Sequence, residues 1–289
     1  MSQRPVIRQV AARSLQEGAG VRIHRTLGTP ECRNLDPFLM LDRFESDDPE
    51  DYGAGFPDHP HRGFVTFTYM LDGHMAHGDS MGNEGRLDPG GAQWMKAASG
   101  VIHSEMPRQE AGLMRGFQLW INLPVAEKMS APDYQEIGPD AVPVLEADGA
   151  RVRVLIGPCR LGDRETTGPV EDPHTDVRYL DIALEPGARF EQPLPAGHHA
   201  FTFLFEGSAT VAGEPVATDH LAVLGEGDSV TVTAGDTGAR LLLVAGAPLR
   251  EPVVQHGPFV MDSREGIQEA FDDFRAGRLV RERAGFHES

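Results

Sequence analysis

The chain has 289 residues, of which 40% are hydrophobic, so it is long enough to form about two domains with buried cores. Its 44 Asp and Glu residues outnumber 26 Lys and Arg residues, giving a formal net charge of -18 that disfavours direct binding to DNA or RNA, since such binding depends on basic side chains at the phosphates. We find no run of roughly 20 apolar residues that could cross a membrane and no apolar signal segment at the start, and therefore expect a cytoplasmic protein without membrane contact.

In chain order, the first candidate site precedes a clear strand. Residues 64–71 are rich in β-branched and aromatic side chains and end at the turn dipeptide Asp72-Gly73, which predicts a strand. Just before it, His59 and His61 stand two residues apart. On an extended strand such positions point to the same face, so both imidazoles can reach one metal ion.

A second pair of potential ligands follows about forty residues later. Residues 90–100 read as turn, strand and turn, and His103 and Glu105 come directly after them, again two residues apart. Two neighbouring strands would then bring three imidazoles and one carboxylate to one point. Such ligands suit first-row divalent ions, and iron, manganese, nickel, copper and zinc all remain open. An ion that prefers six ligands would keep two positions for water, substrate or dioxygen.

The chain also resembles itself. Residues 67–73 recur with conservative changes as residues 201–207, and residues 91–94 align with residues 227–230. This repeat predicts two copies of one β-rich unit, each an antiparallel barrel or sandwich. In the second copy the positions equivalent to the four ligands cannot bind a metal, which predicts a single metal site in the first copy. These positions hold Pro193, Pro195, Ala239 and Leu241.

The repeat also suggests domain borders. The polar, turn-rich residues 157–173 are interpreted as the connection between the copies. Near the end, a capping pattern at Asp262 and a stop at Gly277 predict one helix. We predict a metal-binding N-terminal domain over residues 1–150 and a C-terminal domain over residues 175–289 that lacks ligands and carries the helix. Strands near the N-terminus can complete the far barrel.

Four stretches of the chain resemble the pirin family of the cupin superfamily, and the resemblance extends over most of the length. It implies an all-β bicupin: two antiparallel cupin-type β-barrels with a metal in the N-terminal one only and a short C-terminal helix. It also implies His59, His61, His103 and Glu105 as ligands of one divalent ion, usually Fe(II), with Ni, Mn, Cu, Co or Zn as alternatives. The four stretches are residues 35–42, 56–64, 99–105 and 116–124.

The resemblance implies an activity as well. Several pirins resemble flavonol 2,4-dioxygenases (quercetinases), which open the flavonol ring with O2 and release CO. We therefore predict a metal-dependent oxidoreductase acting on a small aromatic, flavonol-like substrate, in which Glu105 accepts a hydroxyl proton. The alternative is a non-catalytic metal-binding regulator that acts through a protein partner, either a transcription-factor complex or a metabolic enzyme.

For several other side chains, the sequence allows two locations. Arg62 and Gln118 either lie beside the ligands or are unrelated to them, and His74 and His77 either face solvent or lie beside the ligands. Five large apolar residues either line a pocket for a flat aromatic ligand or belong to the core, which is the more common fate of such residues. They are Phe56, Phe64, Met70, Met75 and Met95.

Overall fold

A computed structural model of the chain describes residues 2–288. These residues form 25 strands and two α-helices, which confirms the predicted all-β class with a short C-terminal helix. The strands before residue 130 are β1 (Val6–Ala11), β2 (Arg13–Glu17), β3 (Val21–Leu27), β4 (Phe38–Ser46), β5 (Phe56–His61), β6 (Phe64–Asp72), β7 (Met75–Asp79), β8 (Glu84–Leu87), β9 (Ala92–Lys96), β10 (Val101–Pro107) and β11 (Met114–Asn122). The strands that follow are β12 (Asp133–Ile137), β13 (Val144–Ala147), β14 (Ala150–Ile156), β15 (Pro158–Leu161), β16 (Arg164–Thr167), β17 (Arg178–Leu184), β18 (Arg189–Pro193), β19 (His199–Val211), β20 (Glu214–Val216), β21 (His220–Leu224), β22 (Ser229–Gly246), β23 (Val254–His256), β24 (Phe259–Met261) and β25 (Gly285–Glu288). The helices are α1 (Pro49–Tyr52) and α2 (Arg264–Arg275).

The chain folds into two compact units. The N-terminal unit comprises residues 13–25, 38–140 and 249–288, and the C-terminal unit comprises residues 2–12, 26–37 and 141–248. Each unit is built on β-sheets with its own buried apolar residues. The two units correspond to the two copies that the internal repeat predicts.

The N-terminal unit contains the predicted site. Its larger sheet has the strand order β2-β3-β4-β11-β6-β9-β12-β25, and its smaller sheet has the order β5-β10-β7-β8. The two strands with the candidate ligands, β5 and β10, are antiparallel neighbours in the smaller sheet. Strand β6 lies in the core, and its side chains are almost completely buried on both faces. This is expected for a run of β-branched and aromatic residues.

The C-terminal unit is a nine-stranded sheet in which β1 forms an edge beside β21. Its core consists mainly of aliphatic side chains, including Val230, Leu241 and Leu243, which are fully buried. Leu241 is one of the positions that the repeat aligns with a ligand, and here it is an ordinary core residue. Among the residues that the structure describes, the three histidines of the N-terminal unit form the one cluster able to hold a metal ion.

The structure divides the chain differently from the predicted borders at residues 150 and 175. Residues 2–12 belong to the C-terminal unit because β1 pairs with β21, so an N-terminal strand does complete the far sheet. Residues 249–288 belong to the N-terminal unit because β25 adds to β12 and α2 packs on β23 and β24. The helix assigned to the C-terminal domain from sequence therefore lies in the N-terminal unit.

Helix α2 begins one residue later than the capping pattern predicts. Its N-cap is Ser263, whose hydroxyl oxygen accepts a hydrogen bond from the backbone N–H of Gly266. The helix buries Ile267 and Ala270 against β24. It ends before Gly277, which adopts the left-handed backbone conformation that stops helices.

A buried ion pair fixes α2 to the strand that carries His61. Arg62 is completely buried, and its Nη1 donates to Oδ2 of Asp273 on α2 at 3.0 Å. Its remaining donors reach the carbonyl oxygens of Ser99 and Leu279. Arg62 therefore lies beside a candidate ligand in sequence, but its side chain serves the packing of the C-terminal segment.

Gly63 allows the C-terminal segment to approach this strand closely. Its φ is +90°, and a Cβ at this position would collide with the carbonyl oxygen of Val260. The buried Lys128 donates from Nζ to the carbonyl oxygens of both Gly63 and Val260 and to Oδ1 of Asn122. The residues that follow His61 are consequently held by both charge and close backbone packing.

Candidate metal centre

Three histidine rings converge where β5 and β10 pair. His103 stands opposite His59 in the ladder, and His61 lies two residues further along β5. The ring centroids are 4.7 Å apart for His59 and His61, 4.3 Å for His59 and His103, and 5.0 Å for His61 and His103. One ligand nitrogen from each ring lies within 4.8 Å of the others. The two-residue spacing on strands thus produces the convergence that the sequence predicts.

The hydrogen bonding of these rings fits a metal ion. Neither ring nitrogen of His61 has a hydrogen-bond partner, nor does Nε2 of His103, although all three atoms are buried. Nδ1 of His59 lies 2.9 Å from the carbonyl oxygen of Pro57, which leaves Nε2 of His59 for another partner. Buried polar atoms without partners are costly, and a shared cation would satisfy all three rings at once.

Burial also sets the charge of the rings. It lowers the pKa of His61 and of His103 well below the ordinary value, and the neighbouring histidine rings lower both further. The nearby carbonyl of Pro258 acts in the opposite direction and raises the pKa of His61. Both rings are therefore neutral at pH 7, and neutral imidazole is the form that binds metals.

Glu105 lies beside the histidines but is held by other groups. Both carboxylate oxygens accept from Nε2 of Gln118, at 3.1 and 2.9 Å, and Oε1 also accepts from the hydroxyl of Thr68 at 3.1 Å. The β5–β10 register shifts after His103 through an extra residue in β5, which places Glu105 opposite Phe56. The alternation along β10 itself is regular, and His103 and Glu105 are both buried on one face of that strand. The metal-competent cluster comprises the histidines, and Glu105 as a fourth ligand stays a prediction.

A short chain of hydrogen bonds positions this carboxylate. Nε1 of Trp120 donates to Oε1 of Gln118 at 3.0 Å, which turns the amide nitrogen of Gln118 toward Glu105. Gln118 and Trp120 are two residues apart on β11 and share one face. Gln118 is one of the residues that the sequence allowed beside the ligands, whereas Trp120 was missed although its spacing from Gln118 could have indicated it.

His77 is a further residue of the centre whose position the sequence left open. It is buried, and its Nε2 lies 3.1 Å from Nδ1 of His103. Burial lowers the pKa of His77 to about 4, so this ring is also neutral. A proton on Nδ1 of His103 that is donated to His77 leaves the Nε2 lone pair of His103 free for a metal. His74, by contrast, is partly exposed and pairs with Asp88 at 2.6 Å.

We expect the His77→Ala variant to bind divalent metal about 10- to 100-fold more weakly, because His103 loses the partner that fixes its tautomer and ring orientation. Competition with a chromogenic chelator measures the affinity. His77→Gln, which retains a hydrogen-bonding group, is expected to recover part of the loss, and His74→Ala serves as a matched control without effect. An unchanged affinity in the folded His77→Ala protein would show that His77 does not position His103.

A cavity of about 660 Å³ opens next to the histidines, within the usual range for small-molecule sites. Apolar side chains form part of its wall: Ala19, Met40, Phe56, Pro57, Trp120 and Pro258. Of the five apolar residues considered from sequence, Phe56 lines the cavity. The other four are buried elsewhere in the core: Phe64, Met70, Met75 and Met95.

The polar part of the wall contains three charged residues that the sequence did not indicate. Glu17, Arg25 and Asp42 lie on β2, β3 and β4, and each faces the cavity. Asp42 is opposite Gln118 in the β4–β11 ladder, and Met40 is opposite Trp120. The alternation along β4 and β11 is the signal that could have identified Asp42 and Met40.

The comparisons with known proteins agree with this geometry. The model of the Pirin family matches residues 20–121, and the model of the Pirin C-terminal cupin domain matches residues 179–280. A pirin-like protein of Caulobacter vibrioides is 52% identical over 280 residues, which cover 96% of this chain and 100% of the relative.

The chain belongs to the pirin family. This membership confirms the fold of two cupin-type barrels. The crystal structure of quercetin 2,3-dioxygenase from Acinetobacter baumannii matches this pirin with a TM-score of 0.88 and 29% identity, over 96% of this chain and 99% of that one. The bacterial pirin YhhW of Escherichia coli, solved in complex with nickel(II), matches with a TM-score of 0.65 and 20% identity, over 83% and 98% of the two chains. No helix among the described residues of this pirin is long and apolar enough to cross a membrane.

Proposed function

We propose that this pirin is a metal-dependent dioxygenase of the quercetinase type, which opens the flavonol ring with O2 and releases CO. The observation that carries the proposal is the convergence of three histidine rings beside an open, partly aromatic cavity, which His59 and His61 line. Buried nitrogens of His61 and His103 have no hydrogen-bond partner. The name of the Acinetobacter baumannii relative, quercetin 2,3-dioxygenase, supports the same class of reaction.

We propose that His59, His61 and His103 hold one divalent ion, with Glu105 as the fourth ligand. Imidazole and carboxylate donors are typical of Fe(II) sites, and we propose Fe(II) as the ion, while Ni, Mn, Cu, Co and Zn remain chemically compatible. Once bound, such an ion supplies Lewis acidity that lowers the pKa of a substrate hydroxyl and orients it.

We propose roles for the other side chains of the cavity in binding the substrate and accepting its proton. Glu105 lies within the lining, and we propose it as the base that accepts the hydroxyl proton of the substrate. Gln118 and Thr68 hold that carboxylate in place through their hydrogen bonds. The rings of Phe56 and Trp120 provide flat apolar surface for an aromatic ligand and exclude water from it.

The test is dioxygen uptake with quercetin by protein loaded with Fe(II), compared with the same protein after removal of the metal. We expect rapid uptake by the loaded protein, no uptake by the metal-free protein, and recovery on reloading. Parallel loading with the other divalent ions identifies the active metal. Absence of metal-dependent uptake over a panel of flavonols would overturn the proposal and favour the regulatory alternative.

A further inference from the structure

We propose that Glu17, Arg25 and Asp42 make this cavity selective for uncharged polyphenols, and that they exclude substrates carrying an additional anionic group such as a sulfonate or carboxylate. This inference rests on the proposed function for the aromatic nature of the substrate. It adds the charge class of that substrate and the residues that determine it.

Two of the three guanidinium nitrogens of Arg25 bind protein carboxylates. Nε and Nη2 of Arg25 bind Oδ1 and Oδ2 of Asp42, both at 2.7 Å, in a bidentate pair. Nη2 also lies 3.0 Å from Oε1 of Glu17. The Arg25 side chain is only 16% exposed, and its Nε and Nη2 donors are directed at these two acidic groups. The two carboxylates thus more than balance the positive charge of Arg25.

The remaining charges of the lining have the same sign. Asp58 and Glu105 contribute two further carboxylates, so the wall holds four carboxylates and one guanidinium. A divalent ion on the histidines would leave the site negatively charged. Because a cleft with apolar walls concentrates the field of its charged groups, a second anion on the substrate would be repelled.

The same groups favour hydroxylated ligands. Carboxylates only accept hydrogen bonds when ionised, and phenolic hydroxyls donate them. Glu17 is partly open to solvent, with a side-chain exposure of 44%, and has acceptor capacity beyond its contact with Arg25. A neutral polyphenol can therefore pair with this wall while its rings contact Phe56 and Trp120. A sulfonate group only accepts hydrogen bonds, so it cannot donate one to the carboxylates of the wall.

The test compares the binding of quercetin with that of quercetin derivatives sulfonated on either ring system. Binding to metal-loaded protein is followed without oxygen, so that turnover does not enter. The signal is the quenching of tryptophan fluorescence, to which Trp120 of the cavity wall and the buried Trp94 contribute. We expect each sulfonate to bind at least about 10-fold more weakly than quercetin at low ionic strength, and the ratio to fall as salt rises. The Glu17→Gln variant is expected to bind the sulfonates about 3- to 10-fold more tightly than the natural protein, whereas quercetin, which loses a charged acceptor, should bind no more tightly than before.

Glu84→Gln is the matched control, since it removes the same charge from exposed strand β8, outside the lining. It should leave both affinities unchanged. Equal binding of quercetin and its sulfonates, an unchanged ratio in Glu17→Gln, or no binding of either ligand would each overturn the inference. Failure of the proposed function would appear differently, as selective binding of quercetin without dioxygen uptake.

Discussion

Replacement of Glu105 by glutamine is expected to reduce flavonol turnover at least about 100-fold, the loss typical when a general base is removed. Glutamine has nearly the same shape, but its amide cannot take up the hydroxyl proton. Its NH2 group would also face Nε2 of Gln118, which now donates to both oxygens of Glu105. The hydrogen bond from Gln118 can persist to the single remaining oxygen, so we expect the variant to fold.

Dioxygen uptake at saturating metal and substrate measures this effect, with metal content determined on the same sample. Glu84→Gln, the exposed control on β8, should turn over at the natural rate. A Glu105→Gln protein that contains the full complement of metal and retains near-natural turnover would exclude Glu105 as the base.

The Asp273→Asn variant is expected to lower the free energy of unfolding by about 3 kcal/mol at pH 7, because it leaves the buried charge of Arg62 without its partner. The cost is large since Arg62 is completely buried and its other contacts are neutral carbonyl oxygens. Urea denaturation provides the measurement. Asp272→Asn, one residue earlier on α2, is the matched control: its carboxylate is 56% exposed and pairs with exposed Arg275, so we expect a change below about 1 kcal/mol.

This stabilisation should depend on pH in a defined direction. The hydrogen bond from Arg281 lowers the pKa of Asp273 below its ordinary value, burial opposes this, and the hydrogen bond from Arg62 lowers it further. A depressed carboxyl pKa contributes stability that is present above the unfolded value, about 4, and is lost as pH falls through the folded value. The difference between the natural protein and Asp273→Asn should therefore shrink in acid. A difference under 1 kcal/mol at pH 7, or one that persists unchanged in acid, would contradict this role.

Short-range regularities made the core of the site predictable. The pairs His59 and His61, and His103 and Glu105, needed only the two-residue alternation of a strand to suggest a shared face. Comparison of the sequence with itself was enough to find the repeat of residues 67–73 at residues 201–207. That repeat predicted two units with a metal site in one of them. Of the equivalent positions in the second unit, Ala239 and Leu241 are core residues, whereas Pro193 and Pro195 are exposed.

The features that sequence reasoning missed depend on partners far away in the chain. The bulge in β5 places Glu105 opposite Phe56, and Gln118 and Thr68 determine where its carboxylate lies. Strand β1 belongs to the C-terminal unit and helix α2 to the N-terminal unit, although each is far in sequence from most of its unit. Local patterns do not predict this, because the strands with which β1 pairs and on which α2 packs cannot be identified from neighbouring residues. The pairing of Arg25 with Asp42 across strands is equally invisible in composition, although it sets the charge of the cavity wall.

The most direct test of the metal centre is the metal content of this pirin after anaerobic loading with Fe(II) and dialysis, measured by elemental mass spectrometry. We expect one ion per chain for the natural protein and for His74→Ala, whose side chain lies outside the cluster. His61→Ala, which removes a buried ring with two unpartnered nitrogens, should retain essentially none. Natural protein without bound metal, or His61→Ala with a full equivalent, would contradict the three-histidine site.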